Sequence, residues 1–190
     1  MAHQPAKIPS AERLFDEYLA AAARTGDRPA FERLARRWHG RLAAHAWRLT
    51  GDREMARDAA QSGWEEIARS IAKLHDVRAF PAWAYRIVSR RCARAVTGIQ
   101  RRRVLDRALA DMPPEPASET PAATEREGRL QIAIRALPPA QGAAIALFYL
   151  EEMSVAEVAV ALDVPVGTVK TRLMHARRHL KTALEGEHDE

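Results

Sequence analysis

The chain has 190 residues, a net charge of +5 and 47% apolar residues, enough for one packed domain or two small ones. Aromatics make up only 6% and alanine is abundant, which favours helices over sheets. Cys92 is the single cysteine, so an internal disulfide is excluded; the N-terminus lacks the apolar stretch of a signal peptide, no apolar run approaches membrane-spanning length, and a cytoplasmic protein is expected.

Residues 1–9 read as a tail. A first helix is expected over 11–24, ending at Thr25-Gly26. Asp27 then caps a second helix running to about Leu49, with Phe31, Leu34, Trp38, Leu42 and Ala46 on one face. The same punctuation returns as Thr50-Gly51-Asp52: glycine suits the left-handed position after a helix, and aspartate accepts backbone N–H bonds at the start of the next. A third helix spans 53–70, with Met55, Ala59, Gly63, Ile67 and Ile71 in register. The segment 73–81 reads as a loop or sharp turn. A fourth helix over 82–97 carries Trp83, Ile87 and Val88 inward and Arg86, Arg90 and Arg94 outward, four residues apart.

Charge is unevenly placed. No Asp or Glu occurs from Val77 to Leu105, yet the stretch holds eight arginines: 78, 86, 90, 91, 94, 101, 102 and 103. A solvated helix face normally mixes signs, so the run points to a polyanionic partner rather than to an ordinary arginine-rich surface. Cys92, within it, reads as a small apolar residue.

Composition changes after Arg107. Residues 111–127, DMPPEPASETPAATERE, are rich in Pro, Ala, Ser and Thr and carry acidic charge, the signature of a flexible linker. A second module follows: a helix from about Thr124 to Ala136, a break at Leu137-Pro138-Pro139, a helix to about Glu151, and a helix opened by the capping box of Ser154 and Glu157 with Val155, Val158, Ala159 and Leu162 as its buried stripe. The turn 163–165 leads into a basic helix. Val169, Leu173, Ala176 and Leu180 recur there at core spacing, Lys170, Thr171, Met174, Arg178 and Lys181 take the opposite face, and no carboxylate interrupts 165–183. Short helices ending in a helix-turn-helix make a small DNA-binding module. The expected fold is all-α: two helical domains at 10–107 and 128–185 joined by a flexible linker at 108–127, with a tail at 186–190, so that a variable placement of one module relative to the other is expected in the free chain.

Taken in order, these segments resemble the extracytoplasmic-function (ECF, group 4) RNA polymerase sigma factors of the sigma-70 family. FERLARRWHGRLAAHAWRLTGD at 31–52 resembles the family's opening helix and turn. ARDAAQSGWEEIARS at 56–70 resembles the helix that binds the clamp helices of polymerase β′, and FPAWAYRIVSRRCAR at 80–94 the promoter-melting, −10-reading segment. LPPAQGAAIALFYLEEMSVAEVAVALDVPVGTVKTRLMHARRHL at 137–180 resembles the −35-reading domain and is the most specific match. The resemblance implies a dissociable, non-enzymatic subunit. Its partners would be the polymerase core (β′ clamp helices and β flap), promoter DNA and an anti-sigma factor, with no membrane insertion and no cofactor.

Residue by residue, the resemblance places Lys170, Thr171 and Met174 at base edges of the −35 element. Lysine donates to guanine acceptors, threonine bonds a base or phosphate, and methionine touches a thymine methyl. Arg172, Arg177 and Arg178 suit phosphates, as does Thr168 at the helix start, with His175 adding a contact. His175 and His179 have the i, i+4 spacing of a metal pair but lack the accompanying Glu and a third ligand, so they read as surface histidines and no metal is expected. For the −10 element, Arg86, Arg90 and Arg94 form the backbone-tracking row. His75, Asp76 and Arg78 match the loop that receives a flipped base, and Trp83 either stacks on an unpaired base or, from its register with Ile87, packs in the core. Asp58, Gln61, Ser62, Trp64 and Glu65 correspond to the core-polymerase contact. There the chain departs from the family, with Arg57 and Ser62 where acid is common and Trp64 where Phe is frequent; Arg90 and Arg94 likewise replace the more usual Asn and Asp. Two other readings are a helix-turn-helix regulator that never touches core polymerase, and a sigma-like decoy that sequesters an anti-sigma factor.

Overall fold

A computed structural model describes residues 10–109, 133–134 and 136–185. Helices α1 (Ala11–Arg24), α2 (Arg28–Thr50) and α3 (Arg53–Ser70) follow one another, then two 3-10 turns, Ile71–Lys73 and Val77–Ala79, and the long helix α4 (Phe80–Leu109). The C-terminal module comprises α5 (Pro139–Ile145), which loosens into a π-helical stretch at Ala146–Leu150, then α6 (Val155–Leu162) and α7 (Val166–Glu185). The expected linker at 111–127, the tails, and most of the helix expected to end at Ala136 lie outside the described residues, within which no strand occurs.

The helix boundaries follow from side chains that satisfy orphan backbone groups. Ser10 accepts from the Arg13 amide, Asp27 from Ala30 at 2.9 Å and Asp52 from Met55 at 2.8 Å. Gly51 takes a φ of 67°, which lets α2 stop and the chain reverse into α3 within two residues. At α6 the capping box is complete: Ser154 N–H donates to Glu157 Oε2 at 2.7 Å, and Glu157 N–H donates to Ser154 Oγ at 3.2 Å.

In the N-terminal module α2 packs on α1, α3 and α4. Leu34, Trp38, Leu42 and Ala46 are buried along α2, as their spacing predicts, and Phe31 is half-buried. Trp38 meets Phe80 and Tyr85 edge-on, with ring centroids 5.3 and 5.8 Å apart. Each fully buried leucine or isoleucine here contributes about 1.5–3 kcal/mol from apolar burial. Helices α3 and α4 approach so closely at Gly63 that a Cβ placed there would lie 2.8 Å from Val88 Cγ2. Cys92 is buried, and burial pushes its thiol up to about 11.

The C-terminal module gathers Leu147, Val158, Val169, Leu173 and Ala176 into one buried cluster, with Leu180 half-buried at its edge.

The two modules touch in this arrangement. Helix α6 lies along α4, and α5 lies against α2. Between them the Ser89 hydroxyl donates to the Ala161 carbonyl at 2.8 Å, and its oxygen sits 2.8 Å from His45 Nε2. With the serine proton given to Ala161, His45 donates from Nε2 and keeps Nδ1 as a buried acceptor without a partner. Burial first, and the Arg48 charge second, push this imidazole down to about 3. Ion pairs flank the seam: Arg13 with Glu157 at 3.1 Å and Arg41 with Glu151 at 3.0 Å.

Candidate nucleic-acid interface

The helix-turn-helix is built by α6, a turn at 163–165 and α7. Asp163 ends α6 in the left-handed conformation, φ 55°, which aspartate tolerates better than most residues. Its N–H closes on Val160 O at 3.1 Å, and Val164 N–H on Ala159 O at 3.0 Å. Val169, Leu173 and Ala176, at most 3% exposed, then hold α7 on α5 and α6 and fix its rotation. The consequence is that Lys170, Thr171, Met174 and Arg178 stand together on the exposed edge. Thr168, Arg172 and His175 are half-buried at its border. The Thr171 hydroxyl donates to Gly167 O at 3.1 Å, leaving its lone pairs outward. Arg177 is committed elsewhere: its Nε donates to the Tyr149 hydroxyl at 3.0 Å, and its guanidinium lies over the Phe148 and Tyr149 rings. The edge is thus basic and narrow, with a methionine among cations, a surface suited to base edges flanked by phosphates.

On α4 the buried side carries Ala84, Tyr85, Val88 and Cys92, and this register sets Arg86, Arg90 and Arg94 in a row on the outside. Trp83 is half-buried and packs on the core, 6.2 Å from the Phe80 ring, in line with its register to Ile87. Arg86 Nε and Arg90 Nε reach Asp163 Oδ1 and Oδ2 at 3.0 and 2.9 Å, while Arg94 is exposed. The Arg90 hydrogen bond foremost, with the Arg86 and Arg90 charges adding, holds the Asp163 carboxyl below the usual carboxylate range. The loop 75–78 is a turn rather than an open strand. Asp76 caps Val77–Ala79 and grips Arg78 through Nε at 3.0 Å and Nη2 at 3.1 Å, which lowers the Asp76 carboxyl, while His75 is exposed with its carbonyl accepting from Arg24.

On α3, Asp58, Gln61 and Glu65 share one exposed face and Ser62 borders it. Trp64 turns the other way, half-buried and edge-on to Phe31 at 6.0 Å. Glu66, which the sequence reading did not single out, binds Arg91 of α4 and ties the two helices together. Sequence reasoning also missed His45, Ser89 and Asp163, whose partners lie 44 to 77 residues away. A cavity of about 350 Å³ opens between the modules, where Glu17, Asp16, Glu151 and Glu157 are paired with Arg13 and Arg41 of the same lining. Among the described residues no cluster of His, Cys, Asp or Glu suits a metal ion, and no helix is long and apolar enough to cross a membrane.

Comparison with known proteins agrees with this geometry. The Sigma-70 region 2 family model matches residues 34–103, and the Sigma-70, region 4 model matches residues 127–180. The ECF RNA polymerase sigma factor SigM of Mycobacterium tuberculosis is 32% identical over 170 residues, covering 89% of this chain and 84% of that protein. The ECF RNA polymerase sigma-E factor of Haemophilus influenzae is 28% identical over 187 residues, covering 92% and 98%. In fold, the chain is similar to CnrH, solved in complex with the cytosolic domain of CnrY, with a TM-score of 0.61, 24% identity, and coverage of 91% of this chain and 99% of that one. It is likewise similar to RpoE of Bartonella quintana, solved with the anti-sigma factor NepR, with a TM-score of 0.59, 19% identity and coverage of 83% and 98%. A cationic row on one helical module, a helix-turn-helix on the next and full-length likeness to named relatives converge: this chain belongs to the ECF RNA polymerase sigma factors of the sigma-70 family.

Proposed function

We propose that this sigma factor brings core RNA polymerase in the cytoplasm to a limited promoter set by dividing DNA contact between its two modules, with no catalytic step of its own. The observation that carries this reading is the exposed edge of α7, which its buried stripe holds in one orientation. Lys170, Thr171 and Met174 read the −35 element there, and Arg178 and Arg172 hold its phosphates, with Thr168 and His175 at the ends of the contact. Arg177 acts indirectly, bracing α7 against Tyr149. Arg86, Arg90 and Arg94 follow the backbone of the −10 strand, and the turn at His75, Asp76 and Arg78 borders the site where a base leaves the stack. Asp58, Gln61 and Glu65, bordered by Ser62, face the polymerase clamp, and Trp64 supports them from beneath.

The proteins of similar fold were solved with partners, CnrY and the anti-sigma factor NepR. An anti-sigma partner that controls this chain in a stress or envelope response is proposed by the same likeness. Run-off transcription on genomic fragments with core polymerase tests the main reading. Specific initiation that depends on both core and this chain is expected. Tight duplex binding by the free chain, with no initiation when core is added, would instead identify an autonomous helix-turn-helix regulator.

A further inference from the structure

We propose that Arg24 is a positioning residue for the −10 contact: from the last turn of α1 it clamps the backbone of the turn at 74–78, so that Arg78 is held facing the captured base. The inference rests on the reading above that this turn borders the site where a base leaves the stack.

The turn has little backbone bonding of its own. One 3-10 turn closes through Leu74 N–H on Ile71 O and the next through Ala79 N–H on Asp76 O, each at 3.0 Å. Leu74 is buried at one end and Phe80 at the other, and His75 and Asp76 stand exposed between them. The carbonyls of Leu74 and His75 both accept from a single nitrogen, Arg24 Nη1, at 3.2 and 3.1 Å. Two successive peptide planes are thereby held by one cation, through charge-assisted bonds that outweigh neutral ones. The clamp stands on a firm stem, because Leu19, Ala20 and Ala23 of the same helix are buried in the core.

Which arginine touches the base and which acts through the other follows from the occupied atoms. Arg24 spends its Nη1 on the main chain. Arg78 is gripped from within the turn: Asp76 Oδ1 accepts from its N–H and its Nε, both at 3.0 Å, and Oδ2 from its Nη2 at 3.1 Å. Its side chain is nevertheless 72% exposed, and Nη1 lies outside these bonds. An outward guanidinium edge suits the acceptors of a base that has left the duplex. Helix α1 supports this arginine as well. Asp76 foremost, through its hydrogen bond, and Glu17 of α1 in addition stabilise the Arg78 charge. A turn that receives a base gains from being set beforehand, since the cost of ordering it on arrival is subtracted from binding.

The test uses core polymerase with the full chain, on a promoter pre-melted across its −10 element. A single abasic site is moved stepwise along the unpaired non-template strand. In the parent, one position should cost about tenfold in complex stability, the scale for one base held by stacking and hydrogen bonds. Arg78→Ala, within the turn, is the reference and should erase that cost. Arg24→Ala should reduce it to about twofold and leave the other positions unchanged, and Arg24→Lys, whose ammonium also donates to two carbonyls, should restore most of it. Each cost is a ratio within one protein, so any loss of folded fraction cancels. Suppose that Arg78→Ala erases the cost while Arg24→Ala weakens intact and abasic templates alike. Base capture then stands and the positioning role is overturned, because Arg24 serves a phosphate or only the fold. If neither variant changes the cost at any position, the turn receives no base, and the inference falls together with the reading it rests on.

Discussion

His45 gives the sharpest quantitative expectation. It is 1% exposed, donates from Nε2 toward Ser89, and has no partner for a second proton on Nδ1. Its imidazole is pushed from 6.5 down to about 3, so in the native protein it stays neutral through the mildly acidic range. In the unfolded chain it protonates as pH falls below 6.5, which makes the unfolded state the greater proton binder. Stability from this residue is therefore complete above the unfolded value and is lost as pH falls toward the folded one. At pH 7 the loss is about 0.2 kcal/mol; at pH 5 it reaches about 2 kcal/mol, with a slope nearing about 1.4 kcal/mol per pH unit. His45→Gln keeps an N–H for Ser89 and cannot titrate. Urea unfolding of both proteins at pH 7, 6 and 5 isolates the effect, because every other titrating group cancels in the difference. The advantage of the parent over His45→Gln should shrink by about 2 kcal/mol between pH 7 and pH 5. A difference that stays constant across that range would show that His45 is protonated, or hydrated, in the folded chain.

Gly63→Ala should cost about 1 kcal/mol, because crowding against the buried, β-branched Val88 outweighs the gain in helix propensity; combined with Val88→Ala it should cost less than the sum of the single changes, and strict additivity in urea unfolding would refute the contact. Ser154→Ala removes the cap of α6 and should destabilise the helix-turn-helix by about 1 kcal/mol, whereas Ser154→Asp retains most of the stability; equal melting of the two variants would refute the capping role. Arg178→Glu should weaken binding on every promoter, whereas Lys170→Ala should change the order of preference among −35 variants by about 1–3 kcal/mol; equal losses on all variants would remove Lys170 from base reading.

Much of the architecture was legible locally. The two Thr-Gly-Asp breaks mark the ends of α1 and α2, and α1 and α3 fall on the expected residues. The register of Val169, Leu173 and Ala176 placed Lys170, Thr171 and Met174 outward without further information. Other features were beyond local reading. Helix α4 begins at Phe80, directly after the 3-10 turn Val77–Ala79 and two residues before its expected start, and the helix expected to reach Glu151 loosens into a π-helical stretch over Ala146–Leu150. Arg177, grouped with the phosphate contacts by its charge, is drawn aside by Tyr149 on a neighbouring element. Trp64 and Trp83 turn their rings to the core, a choice set by the helices packed beside them.

The amino-acid order alone determined where helices begin and end, which stripe of each is apolar, and where positive charge gathers, because capping, helical periodicity and the charge run all depend on residues a few positions apart. Tertiary packing decided which of those charges are available. Arg86 and Asp163 stand 77 residues apart in the chain, and only the docking of α6 along α4 brings them into contact, together with Ser89 and Ala161 beneath. A pairing of that kind depends on the relative placement of two cores, a quantity that no local pattern of residues contains.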